Sequence, residues 1–311
     1  MKYAFVFPGQ GSQSQGMMNG FEKFPVVRET FVEASDILHQ DLWGLASNGP
    51  AEALNQTVNT QPLMLAAGVA IYRAWTSLAY SKPAILAGHS LGEYGALVAS
   101  GALAFRDALP LVRFRASAMQ EAVPEGVGGI AAILGLEDEA VKAVCLEAAE
   151  GEVVEAVNFN SPGQVVIAGH KEAVLRGMEL ARQKGAKRAI MLPMSVPSHC
   201  SLMKPASDAL RDYLKDVKIT APSIPVLHNV DVARHEDPVE IKSALVNQLD
   251  HPVRWVETIR AICGQGFAHA AECGPGKVLA GLNKRIAPEQ VIFALTDSAA
   301  LEEAAATLNK E

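Results

Sequence analysis

The chain has 311 residues, of which 49% are hydrophobic, and a formal net charge of −7. This length and composition indicate a globular protein that forms one large α/β domain or one domain carrying an insertion. The acidic balance, without a run of Lys or Arg, argues against a nucleic-acid partner or an anionic membrane surface, and no apolar stretch reaches the length of a membrane span.

The first half of the chain alternates short apolar runs with longer helical segments. The N-terminal run ends at Pro8-Gly9 and is too short for the apolar core of a signal peptide, so it predicts a first strand. Strands are expected at Ala4–Phe7 and Ala84–Ala87, and helices at Gln61–Trp75, Leu91–Ala102 and Arg106–Val123. This alternation predicts a parallel sheet that is covered by helices on both faces.

The stretch from residue 126 to residue 192 has a different order of elements. Strands are expected at Gly129–Leu134, Val153–Phe159, Gln164–Ala168 and Lys187–Leu192, and helices at Glu137–Ala149 and Glu172–Lys184. The second and third strands are joined by a predicted four-residue turn, Asn160 to Gly163. The order β-α-β-β-α-β is the ferredoxin-like pattern.

The last third returns to the first pattern, with strands expected at Val226–Asn229 and His269–Glu272 and a helix at Val239–Asn247. The predicted fold class is therefore α/β, with an α/β-hydrolase-like parallel sheet and an inserted ferredoxin-like subdomain. We expect residues 1–125 and 193–311 to form the large subdomain and residues 126–192 to form the small one. A cleft between the two is a natural place for a ligand.

The strand that ends at Ala87 is followed by Gly88-His89-Ser90-Leu91-Gly92 and then by a predicted helix. A Gly-x-Ser-x-Gly motif between a strand and a helix is typical of a nucleophile elbow, a tight turn that exposes a serine hydroxyl. In such an elbow the backbone N–H of Leu91 can donate to an oxyanion. The alternative is a glycine-rich turn with a helix-capping serine.

A serine nucleophile needs a general base, and the chain has eight histidines. His199 is the best candidate, because it follows Pro193 and Pro197 in a segment that can hold a side chain over the cleft. His89 adjoins the serine but is expected to point away from it in a sharp elbow. No acid between Ser90 and His199 is singled out as the third member of a hydrolase-type triad.

An arginine lies on the apolar side of one predicted helix. On a helical wheel of Arg106–Val123, the apolar residues occupy an arc of about 160°, and Arg115 falls inside this arc. Arg113 falls on the opposite face as a solvated charge. A buried guanidinium keeps its proton and needs an anion. The anion is either an internal Asp or Glu or the carboxylate of a substrate.

Several motifs, taken in order, resemble the malonyl-CoA:acyl carrier protein transacylases and the acyltransferase domains of fatty acid and polyketide synthases. The resemblance rests on Gly88-His89-Ser90-Leu91-Gly92-Glu93-Tyr94 and on four further segments spread over nearly the whole chain. These segments are Phe5 to Gln13, Asn158 to Gln164, Val196 to Cys200, and Gly274 to Val278.

The resemblance implies a role for each matching position. It implies Ser90 as the nucleophile, His199 as the base and Arg115 as the ligand of the substrate carboxylate. It also implies that the backbone carbonyl of Gln248 orients the histidine, with Asp250 as the rival for this role. Further implied residues are Gln10, as the second oxyanion donor beside Leu91, and the pocket residues Gln61, Asn160 and Ser198.

The implied reaction moves the malonyl group of malonyl-CoA to the phosphopantetheine thiol of acyl carrier protein through a malonyl-serine intermediate, for fatty acid biosynthesis. The alternatives are a serine esterase or thioesterase, an acyltransferase of a polyketide pathway, and a non-catalytic module that docks carrier protein. The resemblance requires no cofactor and no metal. An acidic carrier protein would need a local basic patch, for which Lys187-Arg188 and Lys284-Arg285 are the candidates.

The remaining expectations concern compartment and assembly. The four cysteines have no Cys-x-x-Cys spacing, which indicates reduced thiols in a cytoplasmic protein. Nothing in the sequence indicates an obligate interface, so a monomer is expected. The chain lacks the glycine-rich nucleotide motifs and the HExxH zinc motif, which argues against nucleotide and zinc-peptidase chemistry.

Overall fold

The computed structural model describes residues 1–78, 81–194 and 196–309. The strands in these ranges are β1 (Tyr3–Phe7), β2 (Ile85–Gly88), β3 (Gly128–Leu134), β4 (Val154–Ser161), β5 (Gln164–His170), β6 (Arg188–Met191), β7 (Val226–Leu227), β8 (His269–Glu272) and β9 (Val291–Ala294). The helices are α1 (Pro25–Leu38), α2 (Leu42–Asn48), α3 (Ala51–Leu54), α4 (Thr57–Leu78), α5 (Gly92–Ala99), α6 (Phe105–Glu121), α7 (Asp138–Ala148), α8 (Lys171–Gln183), α9 (Lys204–Tyr213), α10 (Pro238–Asn247), α11 (Trp255–Gly264), α12 (Val278–Ile286) and α13 (Ser298–Leu308). Of these helices, none combines the length and the apolar composition needed to cross a membrane.

The larger sheet has the strand order β7-β2-β1-β8-β9, and all of its paired strands are parallel. Alternate residues of the central strand β1 enter different cores, because successive side chains of a strand point to opposite faces. Tyr3, Phe5 and Phe7 pack with α4, α5 and α6 on one face. Ala4 and Val6 pack with α11 and α12 on the other. This arrangement confirms the predicted parallel sheet with helices on both faces.

The smaller sheet is antiparallel, with the order β4-β5-β3-β6. Helices α7 and α8 cover one of its faces, and their apolar residues share a core with β3, β4 and β5. The inserted ferredoxin-like element is therefore confirmed. The two sheets fall on opposite sides of the boundaries expected near residues 125 and 192, and that division of the chain stays a prediction.

The turn between β4 and β5 is shorter than expected. Asn160 and Ser161 belong to β4, and only Pro162-Gly163 connects the strands. Gly163 has a φ of +69°, the left-handed conformation that glycine readily adopts as the second central residue of a turn after proline. The pairing of β4 with β5 therefore continues to Ser161, which lies opposite Gln164. The prediction of a four-residue turn was wrong.

Strand β7 is also shorter than expected, because it ends at Leu227. His228 and Asn229 are completely buried and bind groups at the carboxyl edge of the sheet instead of continuing the strand. The segments that follow β1, β2 and β7 meet at this edge, which is where ligands bind in open parallel sheets.

Candidate active site

Ser90 lies in a tight turn between β2 and α5, with a φ of +51°. A Cβ atom added at Gly88 would lie 2.0 Å from the backbone carbon of Gly92, and one added at Gly92 would lie 2.0 Å from the carbonyl oxygen of Phe7. Both positions therefore exclude a side chain. Leu91 is the N-cap of α5, without a side-chain capping bond. The geometry is that of a nucleophile elbow and not that of a capping serine.

His199 completes a hydrogen-bonded chain with the elbow. The Ser90 Oγ and the His199 Nε2 are 2.8 Å apart, and the His199 Nδ1 is 2.7 Å from the backbone oxygen of Gln248. A carbonyl oxygen only accepts, so Nδ1 carries the proton and Nε2 is free to accept from the serine hydroxyl. The backbone N–H of His199 donates to the Leu249 carbonyl, which anchors this residue at its φ of +69°.

Asp250 does not contact His199. One of its carboxylate oxygens accepts from Ser207 Oγ at 3.1 Å, and the other lies 2.8 Å from Nδ1 of His251. The acceptor behind the imidazole is therefore the neutral Gln248 carbonyl. A neutral acceptor fixes the tautomer but stabilises an imidazolium less than a carboxylate would.

In the malonyl transfer that the family resemblance implies, replacing Asp250 with asparagine is expected to change the rate less than about fivefold, because an amide oxygen can still accept from Ser207. The measurement is kcat/KM for malonyl-CoA with a carrier protein as acceptor. A loss of about a thousandfold or more would instead indicate a conventional triad with Asp250 as the acid.

Burial, followed by the positive charge of Arg115, lowers the pKa of His199 to about 3. The neutral imidazole is the form that accepts a proton, so a lowered pKa keeps His199 able to accept one as the pH falls. We expect kcat/KM for acylation to stay within about twofold between pH 8 and pH 5. An acid limb centred near the ordinary histidine pKa of about 6.5 would contradict this assignment.

Arg115 is 1% exposed and lies against the serine. Its guanidinium donates to Gln61 Oε1 at 2.8 Å, to Gln248 Oε1 at 3.0 Å and to Ser90 Oγ at 3.2 Å. Burial lowers the pKa of Arg115. Within the described part of the chain, Arg115 forms no ion pair with Asp or Glu, so the alternative of an internal salt bridge is not what the structure shows. The site thus holds a buried cation, bonded only to neutral acceptors, beside the Ser90 hydroxyl.

Two backbone N–H groups, those of Gln10 and Leu91, belong to residues at the elbow pocket. The turn after β1 packs against it, because a Cβ added at Gly9 would lie 2.5 Å from the His89 oxygen and 3.7 Å from the Leu91 nitrogen. In the described residues, the N–H groups of Gln10 and Leu91 donate to no protein acceptor. Both residues line the pocket that contains Ser90. An oxyanion formed there can accept from both.

The other predicted pocket residues occupy different parts of the site. Gln61 contacts Arg115 and Met119, and Ser198 lines the pocket of Ser90. Asn160 lies farther out, where its Oδ1 accepts from His89 Nε2 at 2.8 Å. His89 therefore points away from the serine, as expected. Next to this pocket, a cleft of about 470 Å³ runs between the two sheets, within the size range of ligand sites.

Some site residues were not predicted from the sequence. Glu93 is completely buried beneath the elbow, and Asn229 bonds both Gly88 and Ser90. Asn229 stands at the end of a predicted strand, and Glu93 lies within a motif that carries the family resemblance; these were the available signals. Asn158 lines both cavities, and its buried Oδ1 has no protein partner among the described residues. Arg113 is half-buried and bonds Gln40 on the loop after α1, so its expected full solvation was wrong.

Comparison with known proteins gives one consistent result. The family profile described as "Acyl transferase domain" matches residues 4–286. The malonyl CoA-acyl carrier protein transacylase of Salmonella typhimurium is 54% identical over 97% of this chain and 98% of its own length. The acyl-carrier-protein S-malonyltransferase of Burkholderia pseudomallei is 61% identical, with a TM-score of 0.97 over 98% of this chain and 100% of its own. A malonyl-transacylase solved in complex with a type II PKS acyl-carrier protein is 51% identical, with a TM-score of 0.96 over 98% and 99% of the two chains.

Proposed function

The chain belongs to the acyl transferase domain family, and from this premise we propose that it transfers the malonyl group of malonyl-CoA to the phosphopantetheine thiol of an acyl carrier protein. The observation that carries the proposal is the buried Arg115 guanidinium, 3.2 Å from the Ser90 hydroxyl and bonded only to neutral groups. A free carboxylate at the far end of an acyl group supplies the anion that this cation lacks.

The first half-reaction forms an acyl-serine ester. His199 Nε2 takes the proton of Ser90 Oγ while this oxygen attacks the thioester carbonyl. The N–H groups of Leu91 and Gln10 hold the oxyanion. When the carbon–sulfur bond breaks, the imidazolium returns the proton to the coenzyme A sulfur, and the malonyl group stays on Ser90.

The second half-reaction runs the same steps with a different thiol. The phosphopantetheine thiol of the carrier gives its proton to His199 Nε2 and attacks the malonyl ester. The oxyanion forms between the same two N–H groups and collapses by expelling Ser90, which takes the proton back. Throughout both halves Arg115 holds the malonyl carboxylate, so the reacting carbonyl stays aligned with the oxyanion donors.

The cleft beside the pocket suits the pantetheine arm that both substrates share. It opens from Ser90 toward Asn158 and Asn160, which present amide groups, and toward Val278 and Leu282, which present an apolar wall. Polar groups spaced along an apolar channel match a chain of amides and methylenes.

The carrier protein is proposed to dock near the mouth of this cleft. An acidic carrier would favour the basic pairs Lys187-Arg188 and Lys284-Arg285. Arg285 is already engaged within the protein, because it donates to Ser161 and Gln164 on the small sheet. This leaves Lys284 as the freer cation of its pair.

The biological setting follows from the same proposal. Malonyl carrier protein is the extender unit of fatty acid biosynthesis, and we place the chain in that process. The type II PKS complex among its structural relatives keeps a polyketide carrier as the second candidate acceptor. The four cysteines are free, which supports a reducing compartment such as the cytoplasm.

The proposal is tested by mixing the protein with malonyl-CoA and holo acyl carrier protein and weighing the carrier by mass spectrometry. We expect the carrier to gain one malonyl group and little free malonate to appear. Release of malonate without loading of the carrier would overturn the proposal and indicate a thioesterase. Carrier proteins of fatty acid and polyketide systems, compared in kcat/KM, identify the pathway.

A further inference from the structure

A buried carboxylate lies beneath the elbow, three residues after the nucleophile. Glu93, in the first turn of α5, has no exposed surface. Its Oε2 accepts from the Gln248 Nε2 at 2.8 Å and from the Asn229 backbone N–H at 3.0 Å, and its Oε1 lies 2.7 Å from the His228 Nδ1. The steps described above make no use of this charge.

The contacts of Glu93 decide which way the Gln248 amide faces. Nε2 of Gln248 donates to Glu93 and, at 3.1 Å, to the Ser90 carbonyl oxygen, while Oε1 accepts from Arg115 at 3.0 Å. A carboxylate and a carbonyl oxygen can only accept. If the amide were reversed, its oxygen would face both acceptors and its NH₂ group would face the guanidinium. The acceptor oxygens of Glu93 and Ser90 therefore turn Nε2 toward themselves and Oε1 toward Arg115.

Gln248 thus joins the two halves of the site. Its backbone oxygen orients His199, and its side chain holds Arg115. We propose that Glu93 is a positioning residue, which acts through the Gln248 amide to hold Arg115 in the orientation that receives a substrate carboxylate. The inference rests on the proposed function and deepens it.

A structural role alone would look different. Glu93 also pairs with His228, and this contact secures the segment after β7. If that were its only role, losing the carboxylate would lower stability and reduce every acyl transfer in proportion to the folded fraction. Positioning of Arg115 instead predicts a selective loss, because only an acyl group with a carboxylate uses the guanidinium.

The test is Glu93→Gln, which keeps the volume but lets the new amide donate as well as accept. Single-turnover acylation of Ser90 is followed by intact-protein mass spectrometry with malonyl-CoA and with acetyl-CoA. The amplitude of acylation measures the fraction of folded protein, and the rate constant measures the acylation step itself. We expect the ratio of the malonyl rate to the acetyl rate to fall about tenfold, since a charge-assisted contact is no longer aligned.

The matched control is Glu272→Gln. Glu272 is the other fully buried glutamate of the described chain; it lies at the end of β8 and accepts from the N–H groups of Leu279 and Ala280. It does not contact Gln248 or Arg115, so its removal should leave the malonyl-to-acetyl ratio unchanged. An equal fall of both rates in Glu93→Gln, or a fall of the ratio in the control, would overturn the inference.

A second variant keeps the inference testable if Glu93→Gln does not fold. Gln248→Met leaves the backbone carbonyl and the Glu93–His228 pair in place but removes the amide. We expect it to lower the same ratio by a similar factor, and an unchanged ratio would overturn the inference. If the wild-type protein loads malonyl normally and both variants keep the wild-type ratio of the malonyl rate to the acetyl rate, only this inference is refuted. If the wild-type protein forms no malonyl-serine, the proposed function is refuted.

Discussion

Replacing Ser90 with alanine is expected to reduce malonyl transfer by at least about ten-thousandfold, because it removes the hydroxyl on which we propose that the acyl ester forms. In wild-type protein incubated with malonyl-CoA alone, intact mass spectrometry should show the gain of one malonyl group. The same experiment with Ser90→Ala should show none. The remaining oxyanion donors and His199 cannot replace a covalent intermediate in a two-step transfer.

Geometry is the reason for assigning this effect to Ser90 alone. Its hydroxyl is 2.8 Å from the histidine and its backbone sits at the left-handed φ of an elbow. The control is Ser201→Ala, since Ser201 lies two residues after the histidine but bonds Glu155. Ser201→Ala should be acylated normally. A malonyl adduct on Ser90→Ala would place the nucleophile elsewhere.

Replacing Arg115 with alanine is expected to lower acylation by malonyl-CoA about a hundredfold or more, while acylation by acetyl-CoA falls much less. Removing one partner from a buried charge pair costs about 3 kcal/mol, which corresponds to a factor of about 150. The acetyl group has no carboxylate that would be left unpaired. Its transfer therefore loses only the packing contacts of the guanidinium. The measurement is the ratio of kcat/KM for the two acyl donors.

Arg113→Ala is the control for Arg115→Ala. Arg113 lies on the same helix but bonds Gln40, away from the serine, so its loss should leave the ratio near the wild-type value. A second readout is the pH profile. The charge of Arg115 helps to lower the pKa of His199, so Arg115→Ala should move the acid limb of acetyl transfer to higher pH. Equal losses for malonyl and acetyl would contradict a carboxylate clamp.

The elements that were predicted well are those with a strong local pattern. Strand β8 has the predicted bounds, and α6 differs from the prediction by only a few residues, with Arg115 buried as the helical wheel indicated. Apolar periodicity and glycine at an elbow act within a few residues of chain, so they can be read without knowing the fold. Strand β9 lies at a sheet edge, where its side chains are exposed or only partly buried, so it carries a weaker pattern and was missed.

The errors have a common physical origin. The ends of β4 and β7 are held by polar contacts that are distant in sequence: Ser161 accepts from Arg285, and the Asn229 N–H donates to Glu93. Arg113 was expected to be solvated because a wheel describes one helix, whereas Gln40 covers it from outside that helix. Local propensity cannot report a contact that another part of the chain supplies.

The sequence by itself determined the two features that depend on neighbouring residues. These are a serine in a sharp turn that two glycines make possible, and a cation on the apolar side of a helix. Only the tertiary structure decided what surrounds that serine. Glu93, Arg115, His199 and Gln248 are separated by up to 155 residues, and the parallel sheet brings the segments that carry them to one edge. Their hydrogen bonds set the tautomer of His199 and leave Arg115 bonded only to neutral groups. Buried polar groups form hydrogen bonds with the partners that the fold brings within reach, and these partners can be distant in sequence.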